Sequence, residues 1–448
     1  MALKIRSGTP NTTNYSNGNK VVFEYNPVKT DIPNLPFGVP HAGLPVYTYA
    51  ALKPIKIPVP PAIEMPESKL PQAINYYADY GGCGFWRMIW PQYILNGNQK
   101  AVVTGLTTMV LEPHFYRNIK SIRVQRQATQ TQRDFVNALK QLSDNNPQNG
   151  FEKFQLIYEI DDIVYKDDIP DYNRCKEAFT DSTIEQCITE IMQTVDEITV
   201  TCPYMKKYYQ EKTGNKNITV IPNYPPKFWL DRFYDREKVL KRFEQYKRKP
   251  RILYSGSGTH LDVMNRPNMI DDFTHIKTAI IKARKKFTFV WKGCYPIEMK
   301  PFIDNGEMEY FDWSMLMDYP QGLADTNCNA VFAPLTDNIF NRSKSNIKMV
   351  ESGGLGLPGV FQDLDPYYNA DLKFISGDDL INQLEVLTKD EDTFMKYSDT
   401  SRKFVEGLWL EDHINEYLAL YTTPYGSKER ASIAPNLVAL NPDQFNIV

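Results

Sequence analysis

From residue 72 onward the chain repeats one pattern: a short β-branched run, a turn rich in glycine or asparagine, then a stretch with helical spacing. Strands that alternate with helices imply a doubly wound parallel sheet covered on both faces. "AINYYA" ends in "DYGGCG" and is followed by "FWRMIWPQYILNG", which has helical length and stops at Asn96 and Gly97. "SIRVQR" and "FQLIYEIDD" read as further strands with the helix "TQRDFVNALKQL" between them, and "EITVTC" and "NITVIPNYPP" continue the series. In such a sheet the ligand crevice lies at the carboxyl ends of the strands, so Gly81 to Gly84, Arg126 and Asp161 are expected there.

The pattern then starts again. After the charged helical stretch "DREKVLKRFEQYKRKP", the runs "RILYSGSGTH", "FTFVWKGC", "MEYFDW", "NAVFAPL" and "LPGVFQD" are short strands ending in turn residues. The expected architecture is therefore α/β, with two doubly wound, Rossmann-like domains over residues 72–235 and 236–400, facing a cleft. The length of 448 residues suits two cores, and 42% apolar content can fill both. "TFMKYSDTSRKFVEGLWLEDHINEYLALYTT" is strongly helical, and residues 401–421 are expected to return to the first domain. Residues 425–448 read as a polar tail. At the other end, residues 1–71 hold twelve of the 31 prolines and are expected to run extended over the first domain.

Net charge is −3, so contact with nucleic acid would need a local basic patch, for which "YRNIKSIRVQRQATQTQR" is the candidate. Six cysteines without a CxxC pair or a regular framework fit reduced thiols. No charged start precedes an apolar run, and no 18 apolar residues stand together, so a cytoplasmic protein without a membrane span is expected.

Chemistry concentrates in "SKSNIKMVESGGLGLPGV", residues 343–360. On a helix, Lys344, Lys348 and Glu351 would fall within roughly a 60° arc. Two lysines one turn apart repel each other, and an anion between them turns that cost into a gain. The turn "YSGSGT" adds a second anion site, because glycine lets backbone NH groups approach a phosphate closely. Both features point to a diphosphate.

These segments resemble the retaining nucleotide-sugar glycosyltransferases of the GT-B fold, the group that includes glycogen and mannosyl transferases. "DEITVTCPYMKKYYQEKTGNKNITVIPNYPP" is similar to the group's approach to the interdomain linker, and "SKSNIKMVESGGLGLPGVF" to its donor-site helix. "GCGFWRMIWPQYIL" and "FQLIYEIDDIVYK" resemble a sub-group with a Gly-x-x-x-Arg opening and a Tyr-x-x-Asp-Asp strand end. The likeness runs in order from about residue 72 to 421. It implies that Glu351 binds the nucleotide ribose and that Lys348 and Lys344 face the diphosphate, with Gly256, Ser257, Gly258 and Thr259 forming the phosphate turn. Lys348 would stabilise the leaving group, with Asp161 on the acceptor side. Where the group has an earlier glutamate this chain has Ser343. Where the group has an arginine after the first strand of the second domain, Thr259, His260, Arg266, Arg342 and Lys292 are the alternatives. Gly82, Gly84 and Arg87 would form the loop of the first domain. The implied donor is a nucleotide-sugar, most simply a UDP-sugar, with no further cofactor and no metal. The pair Asp161 and Asp162 is expected to bind hydroxyls or cap a helix rather than hold an ion.

"YSGSGTHLDVMNRPNMIDDFTHI" is similar to glycosyltransferases of T-even-like bacteriophages, whose relatives attach glucose or arabinose to 5-hydroxymethylcytosine in DNA. By that likeness the acceptor is DNA containing hydroxymethylcytosine, met by Arg123, Arg126, Arg133, His114 and Asp162 in the first domain. The alternatives are a transferase of bacterial surface polysaccharide and a non-catalytic scaffold that binds sugar-nucleotide or DNA.

Overall fold

The computed structural model describes residues 67–444 apart from 180, 265 and 267. Nearly all of the proline-rich opening segment lies outside the described residues. Two six-stranded sheets, each parallel at every pairing, organise the rest. The first contains β1 (Gln72–Tyr76), β2 (Val102–Leu106), β3 (Ile119–Gln125), β4 (Gln155–Glu159), β5 (Glu197–Val200) and β6 (Ile218–Val220), in the order β2-β1-β3-β4-β5-β6. The second contains β7 (Arg251–Gly256), β8 (Thr288–Gly293), β9 (Glu309–Phe311), β10 (Ala330–Ala333), β11 (Gly359–Gln362) and β12 (Lys373–Phe374), in the order β12-β11-β10-β7-β8-β9. Every strand read from the sequence is present. The sequence reading omitted β2, a half-buried strand carrying Gly105, and β12, which is two residues long.

The inner strands are buried on both faces, so their charged residues must find partners inside. Arg123 on β3 and Glu159 on β4 are an ion pair with neither side chain exposed. Arg87 completes the cluster, its Nε 2.6 Å from Glu159 Oε1, and Thr199 donates to the same carboxylate. Arg87 belongs to a π-helical turn, Phe85–Ile89, that leads into the helix Trp90–Gly97. Pro91 has no NH to give the carbonyl of Arg87, and Arg123 Nη1 donates to that carbonyl instead at 2.7 Å.

Two long helices tie the domains together. Glu391–Glu406 packs on the helix Ile347–Gly354, where Arg402 Nη1 donates to the Gly354 carbonyl at 2.8 Å. The chain breaks at Gly407, crosses over, and continues as Leu410–Thr422 against the first sheet, where the Ser121 hydroxyl donates to the Tyr421 carbonyl and Tyr421 to Asn75. The segment read as a polar tail instead carries two short helices, Lys428–Ile433 and Pro435–Leu440. Arg430 anchors them by a fully buried ion pair with Glu197, and the Asn441 amide pairs with the NH and carbonyl of Val220 on the edge strand β6. Among the described residues no helix is long and apolar enough to cross a membrane.

Candidate functional site in the interdomain cleft

The carboxyl ends of the two sheets face each other, and among the contacts that cross between them three lie at the site. Lys344 Nζ is 2.9 Å from both carboxylate oxygens of Asp162, the Tyr172 hydroxyl donates to Asp272 at 2.7 Å, and the Arg174 guanidinium lies over Gly258. Each contact joins a loop of the first domain to one of the second.

On the second domain the strand β7 ends at Gly256, directly beneath the side chain of Lys348. A Cβ at Gly256 would fall on the Tyr254 hydroxyl and 3.0 Å from Lys348 Nζ, so this turn requires glycine. Lys348 Nζ donates to the Ser255 carbonyl and lies 4.9 Å from the Tyr254 ring centroid. Ser257 and Thr259 share a 2.8 Å hydroxyl hydrogen bond in the same turn. One helical turn past Lys348, Glu351 is buried to 8% exposure beside the Tyr319 hydroxyl, which also donates to Ser255 Oγ at 3.1 Å. Burial pushes the Lys348 ammonium down and the Glu351 carboxyl up, and their opposite charges partly offset this. Two groups poised this way respond strongly to a ligand that brings its own charge and hydroxyls. Beneath them a small cavity lined by Leu253, Val331 and Leu357 has room for about one water, so a larger ligand must lie on the outer side of the pair.

Several positions singled out in the sequence take other roles. The helix begins at Ile347, not before, because the short helix Ile339–Arg342 ends at Ser343 and the next three residues are irregular. Lys344 is therefore off the helix, with Nζ 3.9 Å from the Phe340 ring centroid and paired to Asp162. Ser343 is buried and donates its hydroxyl to the Phe340 carbonyl at 2.6 Å, which removes it from any donor contact. Lys292 at the end of β8 is buried and donates to the Asp312 carbonyl and to Ser314, and burial lowers its pKa. Arg342 is held by Asp337 and Asp365, and Arg266 by Asp262.

In the first domain, Arg126 stands at the end of β3 with a φ of +42°, a backbone conformation that a non-glycine residue keeps only under constraint. The constraint is visible: its NH bonds to the Glu159 carbonyl, and its guanidinium lies between Asp79 and Asp161. Asp161 foremost raises its pKa. Asp79 also accepts from the NH groups of Gly81 and Gly84, so the Gly84 NH is already engaged by a carboxylate and is not offered to an anion. Gly82 is exposed, with open space where a side chain would stand. Arg87 and Arg123 belong to the core, paired with the buried Glu159, so they are structural residues and not the loop and acceptor residues that the sequence suggests. Arg133 is paired with Asp134 and with Glu190 of the neighbouring helix Ser182–Thr194. His114 is exposed beside Phe151, at the amino ends of β3 and β4, the opposite edge of the sheet from the cleft.

Four cleft residues were not singled out in the sequence: Asp79, Tyr172, Arg174 and Asp272. Asp79 stands immediately before the glycine turn, a position where a carboxylate can cap free NH groups, and that signal was available. Tyr172 and Asp272 meet only through the tertiary fold.

No protein-family model matches the sequence, and no curated protein matches it. Among solved structures the similarity is clear at the level of architecture, and the class that the fold defines is GT-B: two doubly wound parallel sheets facing a cleft. Anabaena Alr3699/HepE in complex with UDP-glucose superposes with a TM-score of 0.50 at 11% identity, over 78% of this chain and 98% of that one. An α-glucosyltransferase in complex with UDP-glucose and DNA containing an abasic site gives 0.44 at 11% identity, over 76% and 96%. A point mutant of S. aureus TarM in complex with Fondaparinux, alpha-GlcNAc-glycerol and UDP gives 0.44 at 12% identity, over 70% and 59%.

Proposed function

We propose that this chain is a retaining glycosyltransferase that takes its sugar from a nucleotide-sugar bound to the second domain. The observation that carries the reading is the pairing of Lys348 and Glu351 on one helix beside the glycine turn of β7, at the carboxyl end of the sheet. A carboxylate there can accept both ribose hydroxyls while the ammonium and the turn face the diphosphate. Breaking the bond from the anomeric carbon to phosphate leaves an oxocarbenium-like sugar and an anionic nucleoside diphosphate, and fixed cations stabilise that anion. In a retaining transfer the departing phosphate itself helps to deprotonate the acceptor hydroxyl, and we assign the acceptor-side carboxylate to Asp161, beside Arg126 at the carboxyl end of the first sheet.

For the acceptor we propose 5-hydroxymethylcytosine in DNA. This finer reading rests on the likeness of "YSGSGTHLDVMNRPNMIDDFTHI" to the phage enzymes, because Arg123 and Arg87 are internal and cannot serve a DNA surface. In the first domain Arg174 lies over the turn at Gly258, and Arg126 stands at the end of β3 between Asp79 and Asp161. The test is transfer of label from a panel of UDP- and GDP-sugars to hydroxymethylated and unmodified duplexes. Label on the hydroxymethylated duplex alone supports the reading. Turnover with glycan acceptors and none with DNA would transfer the assignment to surface-polysaccharide synthesis, and failure of every donor would overturn the enzyme reading.

A further inference from the structure

One titratable ring enters the cleft with a nitrogen unengaged. His260, in the turn after β7, has Nδ1 2.7 Å from Asp272 Oδ2, and the Asp272 side chain is wholly buried. The other carboxylate oxygen of Asp272 accepts from the Tyr172 hydroxyl at 2.7 Å, the Asn341 amide at 2.6 Å and the Thr336 NH at 2.9 Å. A carboxylate so supplied with donors accepts from the ring as well, so Nδ1 carries the hydrogen and Nε2 is left with its lone pair. Nε2 has no protein partner among the described residues, and the side chain retains 13% exposure. A histidine that served only to bridge two elements would spend both nitrogens on the protein.

The surroundings decide its charge. Asp272 favours the imidazolium, while Lys344 and Lys348 oppose it from the neighbouring loop and helix, with Glu351 beside Lys348 and Arg174 above the turn. Burial is the largest influence and also opposes the charge, so the ring lies below its ordinary value and is neutral near pH 7. A diphosphate in the cleft would add negative charge next to these cations and reverse that balance.

We propose that His260 is a diphosphate-binding residue that takes up a proton from solvent as the anion arrives and donates Nε2–H to a phosphate oxygen. The fixed Nδ1–H to Asp272 holds the ring in place and keeps Nε2 aimed outward. This assignment rests on the donor-site reading above. It also gives one side chain the cation role for which the sequence left several alternatives.

The experiment follows the histidine Cε1–H resonances of the full chain against pH, with and without saturating UDP, the His260 signal being identified by its loss in His260→Gln. The expected result is an upward shift of its midpoint by about one unit when UDP is bound, equivalent to about tenfold tighter UDP binding by the protonated form. In parallel, His260→Gln should weaken UDP binding by a few-fold at pH 6, approaching about tenfold at lower pH, and much less at pH 8. An unmoved midpoint at saturating UDP, or equal affinity of His260→Gln and wild type at pH 6, overturns the assignment while leaving the donor site in place. Absence of any UDP binding to the wild type would remove the donor site and this assignment together.

Discussion

Replacing Arg123 by alanine separates a core arginine from a surface one. The side chain gives Nη1 to the Arg87 carbonyl at 2.7 Å and Nη2 to Glu159 and, at 3.1 Å, to Thr199. Both members of the Arg123–Glu159 pair are fully buried, so truncation leaves a carboxylate short of one counter-charge and a carbonyl that Pro91 cannot serve. Breaking a buried pair by removing one partner costs about 3–5 kcal/mol, a large share of the roughly 5–15 kcal/mol that holds a domain folded. At about 2–4 °C per kcal/mol for a domain of this size, the melting temperature should fall by roughly 6–20 °C. Arg133→Ala is the control, since that side chain lies at the surface against Asp134 and Glu190, where solvent screens the pairs, and its melt should stay near that of the wild type. The pH dependence has a definite sign. Burial pushes the Glu159 carboxyl up, but Arg123 and Arg87 outweigh it and hold it below the ordinary value. Its contribution is thus complete above about pH 4.3 and is lost as the pH falls further, and Arg123→Ala should show a shallower acid loss than the wild type. Thermal and urea unfolding of both variants, followed by circular dichroism, measure this. If Arg123→Ala melted like Arg133→Ala, Arg123 would not be a core residue, and its reading as an acceptor contact would return.

Lys348→Ala should lower the transfer rate at least about a hundredfold, as loss of a preorganised charge at a leaving group does, with circular dichroism unchanged; near-normal turnover would remove Lys348 from the donor site. Asp162→Asn should release Lys344 from its ion pair and tighten UDP binding by up to about fivefold, the worth of one partly exposed pair of at most ~1 kcal/mol, read by calorimetry; weaker binding would mean that Asp162 positions the cleft rather than competing with the anion. Turnover should survive excess EDTA, because Asp162 is committed to Lys344 and Asp161 faces Arg126; loss of activity restored by Mn²⁺ or Mg²⁺ would recast the two aspartates as ligands.

The strands were legible because β-branched runs bounded by turn residues report a sheet buried on both faces, and ten of the twelve could be read that way. Location of charge was not legible. In "IRVQ" the arginine looks like a surface cation, and only the placement of β3 between β1 and β4 shows that it must be internal and paired. The spacing of Lys344 and Lys348 suggested a shared helix face, but the irregular residues Lys344–Asn346 break that spacing before the helix starts. Lys348 and Glu351 lie within the helix, so their i, i+3 relation survived folding. The Asp272 hub joins residues separated by up to 100 positions from one domain to the other, and no local pattern carries such a contact.

The central claim, that the helix Ile347–Gly354 and the turn of β7 hold a nucleoside diphosphate, is tested most directly by calorimetric titration of UDP and of inorganic pyrophosphate into the wild type, Glu351→Ala and Lys348→Ala. If Glu351 holds the ribose and Lys348 the diphosphate, Glu351→Ala should lose at least about tenfold in UDP affinity, in line with hydrogen bonds to a charged acceptor worth about 1.5–3 kcal/mol, while binding pyrophosphate as the wild type does. Lys348→Ala should lose affinity for both. Wild-type affinity for UDP in both variants would contradict the account.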